Sequence, residues 1–271
     1  MASIIRSAKS GNYWTDNDLY AFNIQVVVRN VQQFFGIDQL PPPGISTVIL
    51  DNQTLPDGLR NLPKTHPGRK DFNFFALLSD IVSLGPGQES SVDDFARFLL
   101  EMMDFDEGSR VLHTRRELHF TMCGQRVDAK TDVCLMQLVS NTLLYILLIQ
   151  EDKRHISSDD PEAQLIVDAC AAFVENNKVR ELAMLPRLET MTFPGITMIG
   201  SMPIFYKIHI SEGLMAALRS GQYPEVPTIV EKLYPPVNDL GELLATGMQK
   251  LHNRAVIFQC FQAFKALVHN I

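Results

Sequence analysis

The sequence predicts an α/β protein with a central mixed β-sheet flanked by helices. Three observations carry this: strand-like stretches between residues 110 and 149, a capped helical stretch on either side of them, and a further pair of strand-like stretches after the second helix. Composition agrees. Of 271 residues, 46% are hydrophobic and 20% charged, which suits a folded chain with a sizeable core and not a disordered one.

The first ~40 residues pattern as a helix. Thr15 or Asp16 can cap it, Leu19, Phe22, Ile24, Val27, Val31, Phe34 and Phe35 give it an apolar side, and Gly36 stops it. Tyr13-Trp14 precedes the cap as a hydrophobic staple. Residues 41–91 hold seven of the fifteen prolines and pattern as a looped arm, broken by a helical piece around Phe72–Leu84. Residues 1–91 are therefore expected to pack as a helix and Pro-rich arm on a core formed by residues 92–271, in one globular unit.

From residue 92 the pattern tightens. Ser90 or Ser91 can cap a helix over Val92–Met103, with Phe95, Leu99 and Met102 on one side. Three strands are then predicted: Arg110–Met122, Val127–Met136 and the apolar run Leu144–Ile149, which suits a doubly buried position. Asp159 or Asp160, with Pro161 at the first helical position, opens a helix to Asn176. Ile196–Ile199 and Ile204–Ile210 are expected to pair, and helices are expected at Glu212–Ser220, Val226–Leu233 and Leu240–His269.

Several function classes lose support at once. There is no phosphate-binding G-x-x-x-x-G-K-[ST], no G-x-G-x-x-G and no G-x-S-x-G. The longest apolar run, Leu143–Ile149, has seven residues, against the ~20 of a membrane-spanning helix, so no membrane partner is expected. MASIIRSAKSGNYW contains no continuous apolar segment of a secretory signal. The four cysteines are scattered without a C-x-x-C pair and are expected to be reduced thiols. The expected location is intracellular, cytoplasmic or nuclear. The net charge of −7 argues against a general nucleic-acid coat, but residues 109–155 carry seven Lys/Arg against five Asp/Glu.

The chemistry concentrates at the end of the third strand. Glu151 and Lys153 stand at i and i+2, so a regular strand turns both to one face, and Asp132 lies beside them if the two strands pair. Two carboxylates at close range call for a cation between them, and Mg²⁺ or Mn²⁺ accepts oxygen ligands of that kind. A lysine alongside can orient water or stabilise charge building on a phosphate. The alternative reading is that these are solvated strand ends or cross-strand ion pairs. His113, His119 and His155 fall in the same stretch, the first two on one strand face if that strand is regular.

Thr131-Asp132-Val133 followed by Ile149-Gln150-Glu151-Asp152-Lys153 resembles the active-site signature of the PD-(D/E)XK nuclease superfamily. The resemblance spans about 110 residues and implies a restriction-endonuclease-like core of order α-β-β-β-α-β. It implies metal-dependent hydrolysis of phosphodiester bonds in nucleic acid, with DNA favoured. Asp132 and Glu151 would bind Mg²⁺ or Mn²⁺, Lys153 would assist catalysis, and Glu101 is the best match for a further acid from the first core helix. Gln164 would occupy the place of a glutamine that some members carry after the lysine. A tyrosine often follows it four residues on, where this chain has Asp168. Thr131 stands where the superfamily has proline. Arg115 and Arg116 are candidates for contacting substrate phosphate.

The superfamily also contains inactive copies that serve as binding modules, so a catalytically inactive module in protein or nucleic-acid binding is the alternative. A protein partner or second copy would meet the Pro-rich arm and the apolar stretch Ala255–Val268 (Ile257, Phe258, Phe261, Phe264, Leu267), unless both simply wrap the core.

Overall fold

The computed structural model describes residues 6–83, 90–151 and 161–269. A seven-stranded mixed sheet is flanked by helices on both faces. Its strands, in chain order, are β1 (Ile24–Val28), β2 (Arg110–Met122), β3 (Gln125–Val139), β4 (Thr142–Glu151), β5 (Thr190–Ile199), β6 (Met202–Ser211) and β7 (Thr228–Leu233). They lie side by side in the order β1-β7-β6-β5-β4-β3-β2. The pairs β2/β3, β3/β4, β5/β6 and β6/β7 are antiparallel, whereas β4/β5 and β1/β7 are parallel.

The helices are α1 (Asp16–Ala21), α2 (Val31–Phe35), α3 (Thr47–Asp51), α4 (Arg69–Ser83), α5 (Ser90–Met102), α6 (Pro161–Leu182), α7 (Glu212–Ser220), α8 (Leu240–Thr246) and α9 (Leu251–His269). The stretch from α5 to β5 runs helix, three strands, helix, strand. α6 is the crossover that lets β4 and β5 run parallel. Both hairpins of the β2–β4 meander close through two residues in the left-handed region, Cys123-Gly124 and Ser140-Asn141, the geometry that matches the twist of the flanking strands.

Three sequence expectations are corrected. The helix expected from residue 15 to Gly36 is two short helices with a strand between them. Asn23 takes a left-handed φ of 52° after α1, and the β-branched run Ile24, Val26, Val27, Val28 then pairs with β7 as the edge strand. Gly36, at φ 73°, does end α2. Val226–Leu233, expected to be helical, holds strand β7. The helix expected over Leu240–His269 is broken at Gly247, whose φ of 48° and ψ of −126° suit glycine alone. A Cβ there would sit 2.5 Å from Ser201 Oγ.

Phe205 of β6 packs against Phe261 and Phe264 of α9 at ring separations of 5.2 and 5.0 Å. The next residue, Tyr206, bonds to Glu162 of α6. Successive strand residues face opposite ways, so α9 and α6 cover opposite faces. With α9 lie α4 and α5, joined through Phe74, which is 5.9 Å from Phe95 and 5.7 Å from Phe258. Ile257, Phe258, Phe261 and Phe264 are all buried. The apolar stretch considered as a partner surface therefore wraps the core.

From Ala163 to Phe173, α6 is buried on all sides and apolar except at Gln164 and Asp168, as expected of a helix enclosed rather than laid on a surface. The sheet forms one wall. The β2/β3 hairpin forms another: β2 is four places from β6 in the sheet, yet Cys123 and Gly124 at the hairpin tip donate backbone hydrogen bonds to Leu218 and Arg219 of α7, the helix that follows β6. Gly11 wedges between α6 and β3, where a Cβ would stand 3.1 Å from Val167 Cγ1 and 3.3 Å from Ala129 Cα. The hairpin thus curls over α6.

Candidate functional site

The curl begins at a break in strand regularity. The pairs Thr114–Val133 and Arg116–Thr131 bracket Arg115 and Asp132, and Arg115 has a left-handed φ of 53°, unusual for a long side chain in a strand. On β3, the Thr131 hydroxyl donates to the Val133 carbonyl two residues on, at 2.9 Å. Asp132 sits at this bend and is buried.

Beside it, one carboxamide chain links strand to helix. Gln150 Nε2 donates to Asp132 Oδ2 at 2.8 Å and to Gln164 Oε1 at 3.1 Å, and Gln164 Nε2 donates to the Asn12 carbonyl at 3.2 Å. One turn along α6, Asp168 shares the helix face of Gln164 and is 2% exposed. Its carboxyl is pushed well above the usual carboxylate range, first by burial and then by the nearby Asp132 charge, against a hydrogen bond from the Lys130 backbone. Two buried acceptors, Gln150 Oε1 and Asp168 Oδ2, have no hydrogen-bond partner among the described residues.

The structure brings Asp132 and Gln164 together through Gln150, and it places Arg115 beside Asp132 on the neighbouring strand. Arg116 reaches the Tyr145 hydroxyl at 3.3 Å, a bond that raises its own pKa. Glu101 is half-exposed and accepts from Arg97 Nε on its own helix at 2.9 Å. Glu151 ends β4 with its backbone in register with Met198 of β5. Lys153 and His155 lie outside the described residues. The regular strand that would align His113 with His119 is interrupted at Arg115, and His119 instead pairs with Asp128 at 2.7 Å. Among the described residues, no three His, Cys, Asp or Glu side chains form a group able to hold a metal ion. The hard oxygens of Asp132, Asp168 and the Gln150 carbonyl nonetheless suit Mg²⁺ or Mn²⁺ in kind, since these cations accept neutral amide oxygens as well as carboxylates.

A second polar group continues the same face of the sheet. Gln150 is in register with Thr197 of β5, and Thr197 Oγ1 lies 3.4 Å from the Tyr206 hydroxyl. That hydroxyl donates to Glu162 Oε2 at 2.8 Å, and Lys232 of β7 pairs with the same carboxylate. The Lys232 ammonium also sits over the rings of Tyr206 and Tyr234, at 5.6 and 5.1 Å. Sequence reasoning missed Gln150, Glu162 and Lys232 as a set. The β-branched Thr228-Ile229-Val230 was the signal for β7, and reading it as helix hid Lys232.

The chain matches no known protein-family description and no curated protein.

Proposed function

We propose that this chain has a restriction-endonuclease-like core and hydrolyses phosphodiester bonds in nucleic acid, DNA by preference, with Mg²⁺ or Mn²⁺ bound near Asp132. The observation that carries the reading is the position of Asp132: a buried carboxylate at a strand bend, linked through Gln150 on the last residues of β4 to Gln164 on the helix that follows. Asp132 and Glu151 would hold the cation. When bound, it supplies charge neutralisation at the phosphate and Lewis acidity. Gln150 and Gln164 fix the direction of the Asp132 carboxylate. Arg115, exposed beside Asp132, is available to a substrate phosphate. Lys153 is assigned the task of orienting the attacking water and meeting the charge that develops on the phosphate.

One observation favours a second reading, a nuclease-like module without catalysis. The Gln150 amide donates to an Asp132 oxygen at 2.8 Å, a place a cation would otherwise share. The test is incubation of the full chain with single- and double-stranded DNA and RNA in Mg²⁺, Mn²⁺ and EDTA. Metal-dependent cleavage that falls at least ~100-fold in both Glu151→Gln and Lys153→Ala is expected. Cleavage unchanged in both variants removes the assignment, and no cleavage by the folded wild-type chain transfers it to the binding module.

A further inference from the structure

The β2/β3 hairpin carries basic groups that the Asp132 cluster does not use, and several of them collect at its far end. Thr121 is paired in register with Arg126, and His119 with Asp128. Cross-strand partners share a face, and so do residues two apart on one strand, so these four side chains stand together. α7 closes on the same end. Cys123 and Gly124 donate to the Leu218 and Arg219 carbonyls, each at 2.8 Å. These bonds occupy two of the carbonyls that a helix end otherwise presents, and they hold Arg219 against the hairpin. His119, Thr121, Arg126 and Arg219 line one cavity of about 220 Å³, against an apolar wall that includes Val174 of α6 and Met215 of α7.

The charges of this cavity do not balance. Among the described residues, no carboxylate lines it. Arg126 is exposed and has no ion-pair partner among the described residues. Arg219 pairs with Glu212, but Arg187 shares that carboxylate at 3.8 Å. His119 Nδ1 donates to Asp128 Oδ1 at 2.7 Å, which leaves Nε2 to meet a ligand. Two guanidiniums, an imidazole and the Thr121 hydroxyl therefore reach one small space from two strands and a helix. A planar carboxylate offers two oxygens to such donors, whereas a phosphate offers three strong acceptors in different directions. The volume is below the ~300–1,000 Å³ of a pocket for a drug-sized molecule, a size for one phosphate and not for a whole nucleotide.

We propose that His119, Thr121, Arg126 and Arg219 form a binding site for a phosphate group. The site shares no residue with the Asp132 cluster and does not rest on the nuclease reading. A nucleic-acid strand and a small phosphorylated compound present the same oxygens to it.

The test is calorimetric titration of the full chain with inorganic phosphate at constant ionic strength, with acetate as the comparison anion. Wild type is expected to bind phosphate saturably, and acetate at least ~10-fold more weakly. Arg126→Gln, at an exposed position with no ion pair to break, is expected to keep the wild-type fold and to weaken phosphate binding at least ~10-fold. Lys64→Gln, which removes an exposed cation of the Pro-rich arm, is expected to leave that binding unchanged. Binding of a short single-stranded DNA in EDTA separates the sources. A matching loss in Arg126→Gln puts a strand phosphate in the site, whereas DNA binding unaffected by that change assigns the site to a small phosphorylated compound. No saturable phosphate binding by wild type, equal binding of acetate, unchanged affinity in Arg126→Gln, or the same loss in Lys64→Gln overturns the proposal. Phosphate binding that depends on Arg126 in a chain that cleaves no nucleic acid upholds it while removing the nuclease reading.

Discussion

Two buried polar centres on opposite faces of the sheet solve the same problem in different ways. On the α9 side, Arg254 is completely buried, and no carboxylate pairs with it among the described residues. Its Nε donates to the Met248 carbonyl at 2.9 Å, and its Nη1 donates to the Ile49 and Asn52 carbonyls at 2.6 and 2.8 Å. The guanidinium carbon lies over the rings of Phe74 and Phe75 at 5.2 and 5.5 Å. Burial lowers its pKa to about 10, which still leaves it charged at neutral pH. On the α6 side, the Asp132–Gln150–Gln164–Asp168 cluster leaves two oxygens, Gln150 Oε1 and Asp168 Oδ2, without a partner among the described residues. The first centre is held by backbone carbonyls of a distant segment and serves as a tether, with Arg254 Nη2 left without a partner among the described residues. In the second, the atoms left without a partner among the described residues are oxygens. Buried charge alone does not mark function, and neither centre completes its hydrogen bonding among the described residues; what distinguishes the two is that one leaves a donor nitrogen unmatched and the other leaves oxygens.

The largest expected effect breaks the tether. Arg254→Ala leaves the carbonyls of Met248, Ile49 and Asn52 without this donor, and at about 1–3 kcal/mol for an orphaned buried acceptor the loss should reach about 3 kcal/mol after partial relaxation. Urea unfolding measures it. Because Ile49 and Asn52 belong to the arm around α3, limited proteolysis should also cut more readily near that segment. A variant as stable and as protease-resistant as wild type would place Arg254 among the ligand-seeking groups instead.

A smaller effect tests the α6-side centre. Gln164→Ala removes the acceptor that Gln150 uses at 3.1 Å and the donor to the Asn12 carbonyl at 3.2 Å. One bond to a partly exposed carbonyl and one within the cluster predict a loss of about 1 kcal/mol, below that for Arg254→Ala. The same change frees the Gln150 carboxamide to reorient, so Mn²⁺ binding should weaken together with stability. A stability loss with unchanged Mn²⁺ affinity would make Gln164 a packing residue only.

Much of this was legible in the chain, for reasons that differ by element. β2 was expected at Arg110–Met122, where it lies, because the end of a helix and the Cys123-Gly124 turn bracket it. α6 was marked by Pro161 at its first turn. β1 was not legible: Val27 and Val31 satisfy helical spacing as well as strand spacing, and the decision rests on Asn23 turning left-handed and on a partner strand some 200 residues later. Asp132 was singled out from its motif. Gln150 was passed over because a glutamine next to Glu151 carries no charge pattern, and its importance comes from the register that sets it beside Asp132. Asp168 looked like a departure from a pattern, and the Asp132 charge that acts on it is brought near by tertiary packing that no local spacing announces.

The smallest effect asks whether an unmatched buried atom always signals a ligand. His113 Nε2 is buried without a partner among the described residues, yet its surroundings are cationic. Burial, then Arg116, then Arg97, lower its pKa from 6.5, so the folded chain holds the ring neutral. The unfolded chain binds that proton more readily, and stability must therefore fall as pH drops below 6.5 through the lowered folded value, and be fully present above 6.5. His113→Asn removes this group from the titration. Melting followed across that window should show a shallower decline in the variant than in wild type, with the two curves keeping a constant separation above it. Identical slopes would mean that His113 takes up its proton in the folded state as freely as in the unfolded one. Its unmatched nitrogen would then belong with the unmatched oxygens of the α6 side, as a buried acceptor whose surroundings do not repel a positive charge.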